Sequence, residues 1–523
     1  MGPLTLAQLC RNLREAALPA HAAHIRVGRV RDDSRKVGRG DVFVAVRGTA
    51  ADGADHAAGA AARGAAAIVA EGGGRGATAA GDGLRAAAAD GTGDTAAEAL
   101  VELDIPLVRV PSARIALAEL AAASLGYPAE QLDLVGITGT VGKTSVLALL
   151  AAILDRAGIP AGTMGSLGIA YPGSAAGTRN TTPGALAIQE ALSRMLASGV
   201  RIAAMEVTSH ALVQERVHGL RYDLGIFTNL TMLEHLEYHG SFREYAAAKL
   251  RFLETLRPSA PLCYAAGDRV VRQAVRRHPG PRISCGGGGA WVRVRRDAMS
   301  LTGTRLRLQI RRELPRLDGS CLAACTVPLE LRTLGRPNTV NATLAATAGL
   351  IVGATPDVVH DALSRIRPPK RRLEVIRDCD PIVIDDTVGH PDSITGVFEL
   401  AERVPHGALR VVFCIRGRRG AEINARDAEA LAIWGRRIRI ERLHVTSAED
   451  TADERNDVSD SERRAFMAVL RQESVRFTHH DRLADAIATA LDGAAGSDLV
   501  LLLGAQGMDA GADIVRRLLG QDP

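Results

Sequence analysis

The segment Gly136-Ile-Thr-Gly139-Thr-Val-Gly142-Lys143-Thr144-Ser145 combines closely spaced glycines with one lysine and adjacent hydroxyls. Glycines let backbone N–H groups approach phosphate oxygens, and a helix N-terminus adds positive dipole. In such a loop Lys143 reaches the β- and γ-phosphates and the Thr144 hydroxyl binds Mg²⁺, with Gly139, Thr140, Gly142 and Ser145 completing the ATP cradle. Ile137 stands where the strict G-x-x-x-x-G-K-[ST] pattern has its first glycine.

The lysine carries extra weight because of its rarity. Of 64 basic residues only Lys36, Lys143, Lys249 and Lys370 are lysines. A chain that uses arginine wherever a cation suffices keeps lysine for jobs arginine cannot do, since only an amine can be deprotonated and chemically modified. Lys249 ends the run Tyr245-Ala-Ala-Ala-Lys249. Glu206 ends the apolar run Ile202-Ala-Ala-Met-Glu206, where a carboxylate faces a ligand crevice and can hold a nucleotide's Mg²⁺. His235 and His239 stand four apart, a spacing that suits a shared metal or two unrelated surface histidines.

These residues need a scaffold of alternating strands and helices. The apolar run Leu132–Thr138 before the loop reads as a buried strand, and Ser145–Ala157 as the helix after it. Ile202–Val207 and Leu224–Leu230 continue the strand pattern, and Phe242–Thr255 is helical. Such alternation predicts a parallel sheet flanked by helices. Arg305–Ile310 reads as a strand of a small antiparallel side sheet, and Asn338–Ile351 as a helix.

Three domains are expected from a chain of 523 residues. Residues 1–128 form an α/β domain with strands at 41–46, 65–70 and 106–110. Within it, 71–99 is a Gly/Ala/Asp-rich flexible insertion. Residues 129–367 form the central ATP-binding domain. Pro368-Pro369 breaks the chain, and 368–523 forms a doubly wound Rossmann-like domain with strands at 382–384, 409–414, 442–445 and 498–503.

A net charge of +5 is too small for a dedicated nucleic-acid surface. Seven cysteines without a C-x-x-C pair argue against a disulfide framework or a zinc site. The first twenty residues lack the apolar core of a signal peptide, and no apolar run is long enough to span a membrane. A cytoplasmic protein is expected; its oligomeric state is unreadable.

Taken together these motifs resemble the Mur ligase family, most closely its members that add the third residue of the peptidoglycan stem. Asp33-Ser-Arg-Lys-Val37 with Gly40-Asp-Val-Phe-Val-Ala45 resembles the UDP-binding region. Asn180-Thr-Thr-Pro183 and Glu206-Val-Thr-Ser-His-Ala-Leu-Val-Gln-Glu-Arg216 resemble the substrate motifs, with Thr208 where Ser is usual. Phe227-Thr-Asn-Leu230, Glu234-His-Leu-Glu-Tyr-His-Gly240 and Ala246-Ala-Ala-Lys249 follow in order, with Glu234 and Glu237 replacing aspartates. Gly335-Arg-Pro-Asn338 with Asn341, and Arg372, resemble the remaining ATP-side positions.

The resemblance implies ATP and two Mg²⁺ ions as cofactors. Thr144 and Glu206 would hold one ion, and His235 and a CO₂-derived carbamate on Lys249 the other. Ser34 and Arg35 would meet the nucleotide sugar. Asn180, Thr181, Thr182, Thr208, Gln214 and Arg216 would grip the UDP-muramoyl-peptide-like substrate.

The resemblance thins in the third domain. Asp386-Thr-Val-Gly-His390 stands for Asp-Tyr-Ala-His, and Arg416-Gly-Arg-Arg-Gly420 for Gly-Asp-Arg-Asp. Ala448–Arg455 stands for the Asp-Asn-Pro-Arg of diaminopimelate users, and Gly504-Ala-Gln-Gly-Met-Asp509 for Gly-Lys-Gly-His-Glu. Arg371 replaces the glycine of Gly-Arg-x-Glu. The implied activity is therefore an ATP-dependent amide ligase acting through an acyl phosphate on an altered amine. The alternatives are an ordinary third-residue ligase with an unusual acceptor site, and a silent nucleotide-binding subunit. A folate-type polyglutamyl ligase would leave the Asp33-Ser-Arg35 region unexplained.

Overall fold

The computed structural model describes residues 3–48, 52–72, 104–231, 241–301, 303–332, 334–366, 370–453 and 456–520. His235, His239, nearly all of the expected insertion and the Pro368-Pro369 break lie outside them.

Three principal sheets organise the chain. The first is parallel and four-stranded, in the order Val30–Arg31, Val42–Ala45, Ala67–Glu71, Leu107–Val110. Helix Ala113–Ser124 packs on it, begun by the Ser112 side chain accepting from the Ile115 N–H.

The second sheet has eleven strands. At its centre Asp133–Thr138 lies between Leu224–Phe227 and Ile202–Glu206, all parallel. Its apolar residues divide between two cores, as expected of a parallel strand covered on both faces. Val135 and Ile137 face helices Lys143–Arg156 and Gly335–Val352, while Leu134 faces the side packed by Ala185–Ala197. At Gly349 any Cβ would lie 2.6 Å from Ile153 Cγ2, so glycine permits the close approach of the two helices. Thr343 and Thr347, buried in the same helix, donate their hydroxyls to the Thr339 and Thr343 carbonyls at 2.7 Å.

Arg305–Ile310 does not belong to a separate side sheet. It is part of strand Gly303–Ile310, which pairs antiparallel with Val292–Ser300 and Cys325–Leu331 and extends the central sheet. The junction is the short parallel pairing of Cys285 and Gly286 with Val292 and Arg293, which carries the sheet across. The expected helix over 242–255 is α-helical from Phe242 to Leu250 and then tightens into a 3₁₀ turn, Arg251–Thr255. The helix after the glycine loop begins at Lys143 rather than Ser145. Gly142, with φ +89°, turns the chain directly into it.

The third sheet runs Glu374–Arg377, Ile382–Asp386, Leu499–Leu503, Leu409–Cys414, Ile440–Thr446, Thr478–His480; all but the first pairing are parallel. Helices Pro391–Ala401, Ala421–Arg437 and Asp460–Gln472 cover one face, and Leu483–Leu491 and Gly511–Leu518 the other. Leu499–Leu503 therefore sits between two strands whose following helices lie on the opposite side from its own. The carboxyl edge opens there into the kind of crevice that binds ligands in doubly wound sheets.

Candidate active site

The loop after Asp133–Thr138 is held from behind by the neighbouring strand end. Thr228 Oγ1 donates to the Val141 carbonyl at 2.7 Å, and the Asn229 side chain bonds both polar groups of the Val141 backbone. Gly139 has φ +142°, and a Cβ there would collide with Thr228 Oγ1; at Gly142 it would collide with Asn341 Oδ1. The loop is thus a cradle that side chains would fill. Lys143 Nζ donates to the Gly139 and Thr140 carbonyls at 2.9 and 2.8 Å, so its ammonium lies over the loop. This arrangement suits a nucleotide's phosphates.

Glu206, fully buried, links this cradle to the rest of the site. Its carboxylate accepts from the Thr144 hydroxyl at 3.0 and 3.1 Å and from the Ser166 N–H at 2.7 Å. Its backbone carbonyl accepts from Thr182 Oγ1 at 2.9 Å, and that hydroxyl lies 3.1 Å from Thr208 Oγ1. Arg216 Nη1 donates to the Thr182 carbonyl at 2.8 Å while its Nε and Nη2 meet Gln214 Oε1. Thr181 joins through Ser166 Oγ at 3.1 Å. Asn180 is exposed beside it. A hydroxyl and a carboxylate at one point are the hard oxygen donors that Mg²⁺ takes.

Lys249 is 1% exposed, with Nζ 4.8 Å from the Tyr245 ring centroid. The Tyr245 hydroxyl donates to Thr140 Oγ1 at 2.9 Å, tying the Lys249 helix to the loop. Asn341 is buried against Gly142. Asn338 Nδ2 donates to the Leu334 carbonyl at 2.9 Å and the Arg372 carbonyl at 3.4 Å, so Arg372 is joined to the long helix through its backbone.

Ser34 and Arg35 lie in a 3₁₀ turn of the first sheet. Arg35 is exposed and doubly bonded to Asp33 at 2.9 Å, which draws the Asp33 carboxyl down to about 2. Among the described residues neither shares a hydrogen bond with the Glu206 network. A cavity of about 910 Å³ lies elsewhere, between helix Ala113–Ser124 and the segment around His218. There Glu119 and Glu215, at 3.3 and 3.4 Å from His218, raise that imidazole to about 9.

Sequence reasoning gave no roles to Thr228, Asn229, Tyr245 or Ser166. Each acts by bonding a loop or carboxylate remote in sequence. The short motif Phe227-Thr-Asn-Leu230 hinted at Thr228 and Asn229, and Tyr245 opens the run that ends at Lys249.

The comparisons agree along most of the chain. Residues 27–125 match the "Mur ligase family, catalytic domain" model, 137–349 the "Mur ligase middle domain" and 371–506 the "Mur ligase, glutamate ligase domain". The UDP-N-acetylmuramoyl-L-alanyl-D-glutamate–2,6-diaminopimelate ligase of Pseudomonas putida is 32% identical, covering 90% of this chain and 88% of that protein. Its Pseudomonas aeruginosa counterpart is 33% identical over the same shares. A solved structure of a ligase of that name superposes with a TM-score of 0.65 at 19% identity over 99% of both chains. The MurF ligase from Thermotoga maritima in complex with ADP gives 0.60 at 17%, over 94% of this chain and 97% of that one. With a phosphate cradle, a buried Glu206 at its rim and this likeness over nine-tenths of its length, the chain belongs to the Mur ligase family of ATP-dependent ligases.

Proposed function

We propose that this ligase joins an amino acid or amine to a UDP-muramoyl-dipeptide-like carboxylate. The carboxylate takes the γ-phosphoryl group of ATP to give an acyl phosphate; the amine then attacks the carbonyl carbon and phosphate leaves.

The observation that supports this reading best is the position of Glu206. Its carboxylate meets the ATP-side Thr144, and its own carbonyl meets Thr182, which is bonded to Thr208 and Arg216. One residue therefore borders both the phosphate cradle and the substrate motifs, as a phosphoryl transfer between the two requires.

In this reading Gly139, Thr140, Gly142, Lys143 and Ser145 hold the phosphates, and Asn338, Asn341 and Arg372 the nucleoside side. Thr144 and Glu206 hold one Mg²⁺; Lys249, carbamylated, and His235, outside the described residues, hold a second. Magnesium supplies charge neutralisation at the transferring phosphoryl group. Lys143 adds a positive charge there, and burial of the surrounding groups strengthens its effect. Thr181, Thr182, Thr208, Gln214 and Arg216, with Asn180, orient the donor carboxylate, while Ser34 and Arg35 serve its nucleotide sugar. The third sheet receives the amine.

The test is ADP formation with UDP-N-acetylmuramoyl-L-alanyl-D-glutamate, with hydroxylamine present to trap the acyl phosphate. Donor-dependent ADP and a hydroxamate of the donor are expected. ATP cleavage indifferent to the donor would refute the reading.

A further inference from the structure

Arg371 is buried and has a left-handed backbone, φ +58°. Its Nε meets both oxygens of the fully buried Asp385, the shorter contact being 3.1 Å. Nη2 donates to the Gly504 carbonyl at 2.5 Å, and Nη1 to the Ala505 carbonyl at 2.9 Å and to Asp509. Two carboxylates and two carbonyls converging on one point form a receptor for a cation. Here the cation is the chain's own.

The place of this receptor gives it meaning. Asp385 is near the carboxyl end of Ile382–Asp386, and Gly504 follows the carboxyl end of the adjacent Leu499–Leu503. The helices after these two strands lie on opposite faces, so the receptor occupies the ligand crevice of the third sheet. The other crevice flanking Leu499–Leu503 is closed by packing. A Cβ on Gly504 would lie 2.6 Å from the Cys414 Cβ, and one on Gly507 2.6 Å from the Cys414 Sγ.

We infer that Arg371 is a specificity-determining residue: it fills the subsite that would bind a second ammonium group, so the amine joined by this enzyme has one ammonium, the nucleophile, and no cationic far end. A diamino acid would have to displace a guanidinium engaged through Nε, Nη1 and Nη2, or place its charge beside one. The inference rests on the reading that the third sheet receives the amine.

The test is a competition. The purified full chain is given ATP, Mg²⁺, the UDP-muramoyl dipeptide and equal concentrations of alanine, serine, glutamate, lysine and diaminopimelate, and products are read by mass. Products of the first three should exceed those of the two diamino acids by at least about tenfold, a difference of ~1.4 kcal/mol. The Arg371→Gly/Asp385→Asn double variant, which removes cation and buried anion together, should move the ratio at least about tenfold toward the diamino acids. Arg371→Lys should keep the wild-type preference. If the double variant does not fold, the wild-type competition alone decides. Diamino products from the wild type overturn the inference and leave the ligase reading intact. So does donor-dependent ATP cleavage with none of the panel joined, since the panel contains the class named. Absence of donor-dependent cleavage overturns the ligase reading itself.

Discussion

The Thr144 hydroxyl lies 3.0 and 3.1 Å from the two carboxylate oxygens of Glu206, joining the first turn of the helix behind the phosphate cradle to the end of the adjacent strand. Glu206→Gln keeps the shape and removes the charge. It should raise the Mg²⁺ concentration needed for half-maximal ADP formation by on the order of tenfold or more, because a neutral amide is a much weaker ligand for a hard cation. An unchanged Mg²⁺ titration would remove Glu206 from the metal site.

Lys143→Arg and Lys249→Arg should each lower ligation on the order of 10²-fold or more, the equivalent of roughly 3 kcal/mol of transition-state stabilisation. Arginine cannot follow Lys143 back over its loop as a compact ammonium. At Lys249 it cannot add CO₂, so bicarbonate should not restore the variant, whereas short carboxylates should partly restore Lys249→Ala. A fully active Lys249→Arg enzyme would exclude the carbamate.

Gly139→Ala should destabilise the protein by about 1–3 kcal/mol and weaken ATP binding, since it forces a strained backbone region and a collision with Thr228. Denaturant unfolding and nucleotide titration would check both effects. The double variant Gly139→Ala/Thr228→Ser keeps the hydroxyl and so should not relieve the strain.

His444 is buried beside His480, with 3.1 Å between Nδ1 and Nε2, and burial followed by the neighbouring imidazole lowers it to about 4. In the unfolded chain it titrates near its ordinary value of about 6.5. Between these values the unfolded state binds more protons, so this contribution to stability is present above pH 6.5 and is lost as pH falls toward 4. Burial acts oppositely on Asp386, raising it to about 6, so its ionisation costs stability as pH rises; burial also raises Asp385, against the pull of its Arg371 partner. The measurement is therefore a difference. His444→Gln should gain on the wild type by about 2 kcal/mol between pH 7 and 4.5 in denaturant unfolding. Parallel curves would show that His444 is not the proton-sensitive group.

The elements carrying the phosphate cradle were legible in sequence because strand, loop and helix follow one another. Lys143 and Thr144 needed only that local order to be recognised. The extension through Gly303–Ile310 was not, because alternation within a strand fixes which face is buried but not which sheet it joins. Arg371 shows the same limit in a site. Its partners Asp385, Gly504, Ala505 and Asp509 stand up to 138 residues away, and only the folded sheet brings them together. The departures in the closing motif were visible; that an arginine took up the exposed acid was not. His235 lies outside the described residues.

The helix Gly335–Val352 touches two parts of the machine within one turn. Asn341 abuts Gly142 of the cradle, while Asn338 reaches the Arg372 carbonyl, and a Cβ on Gly335 would lie 2.6 Å from Leu373. Three residues along an α-helix span about 4.5 Å. Such a short, stiff lever has almost no slack. A swing of the third sheet about residues 371–373 would be transmitted to the phosphate loop nearly undiminished, so the posture of that sheet and the shape of the phosphate loop are mechanically geared to each other.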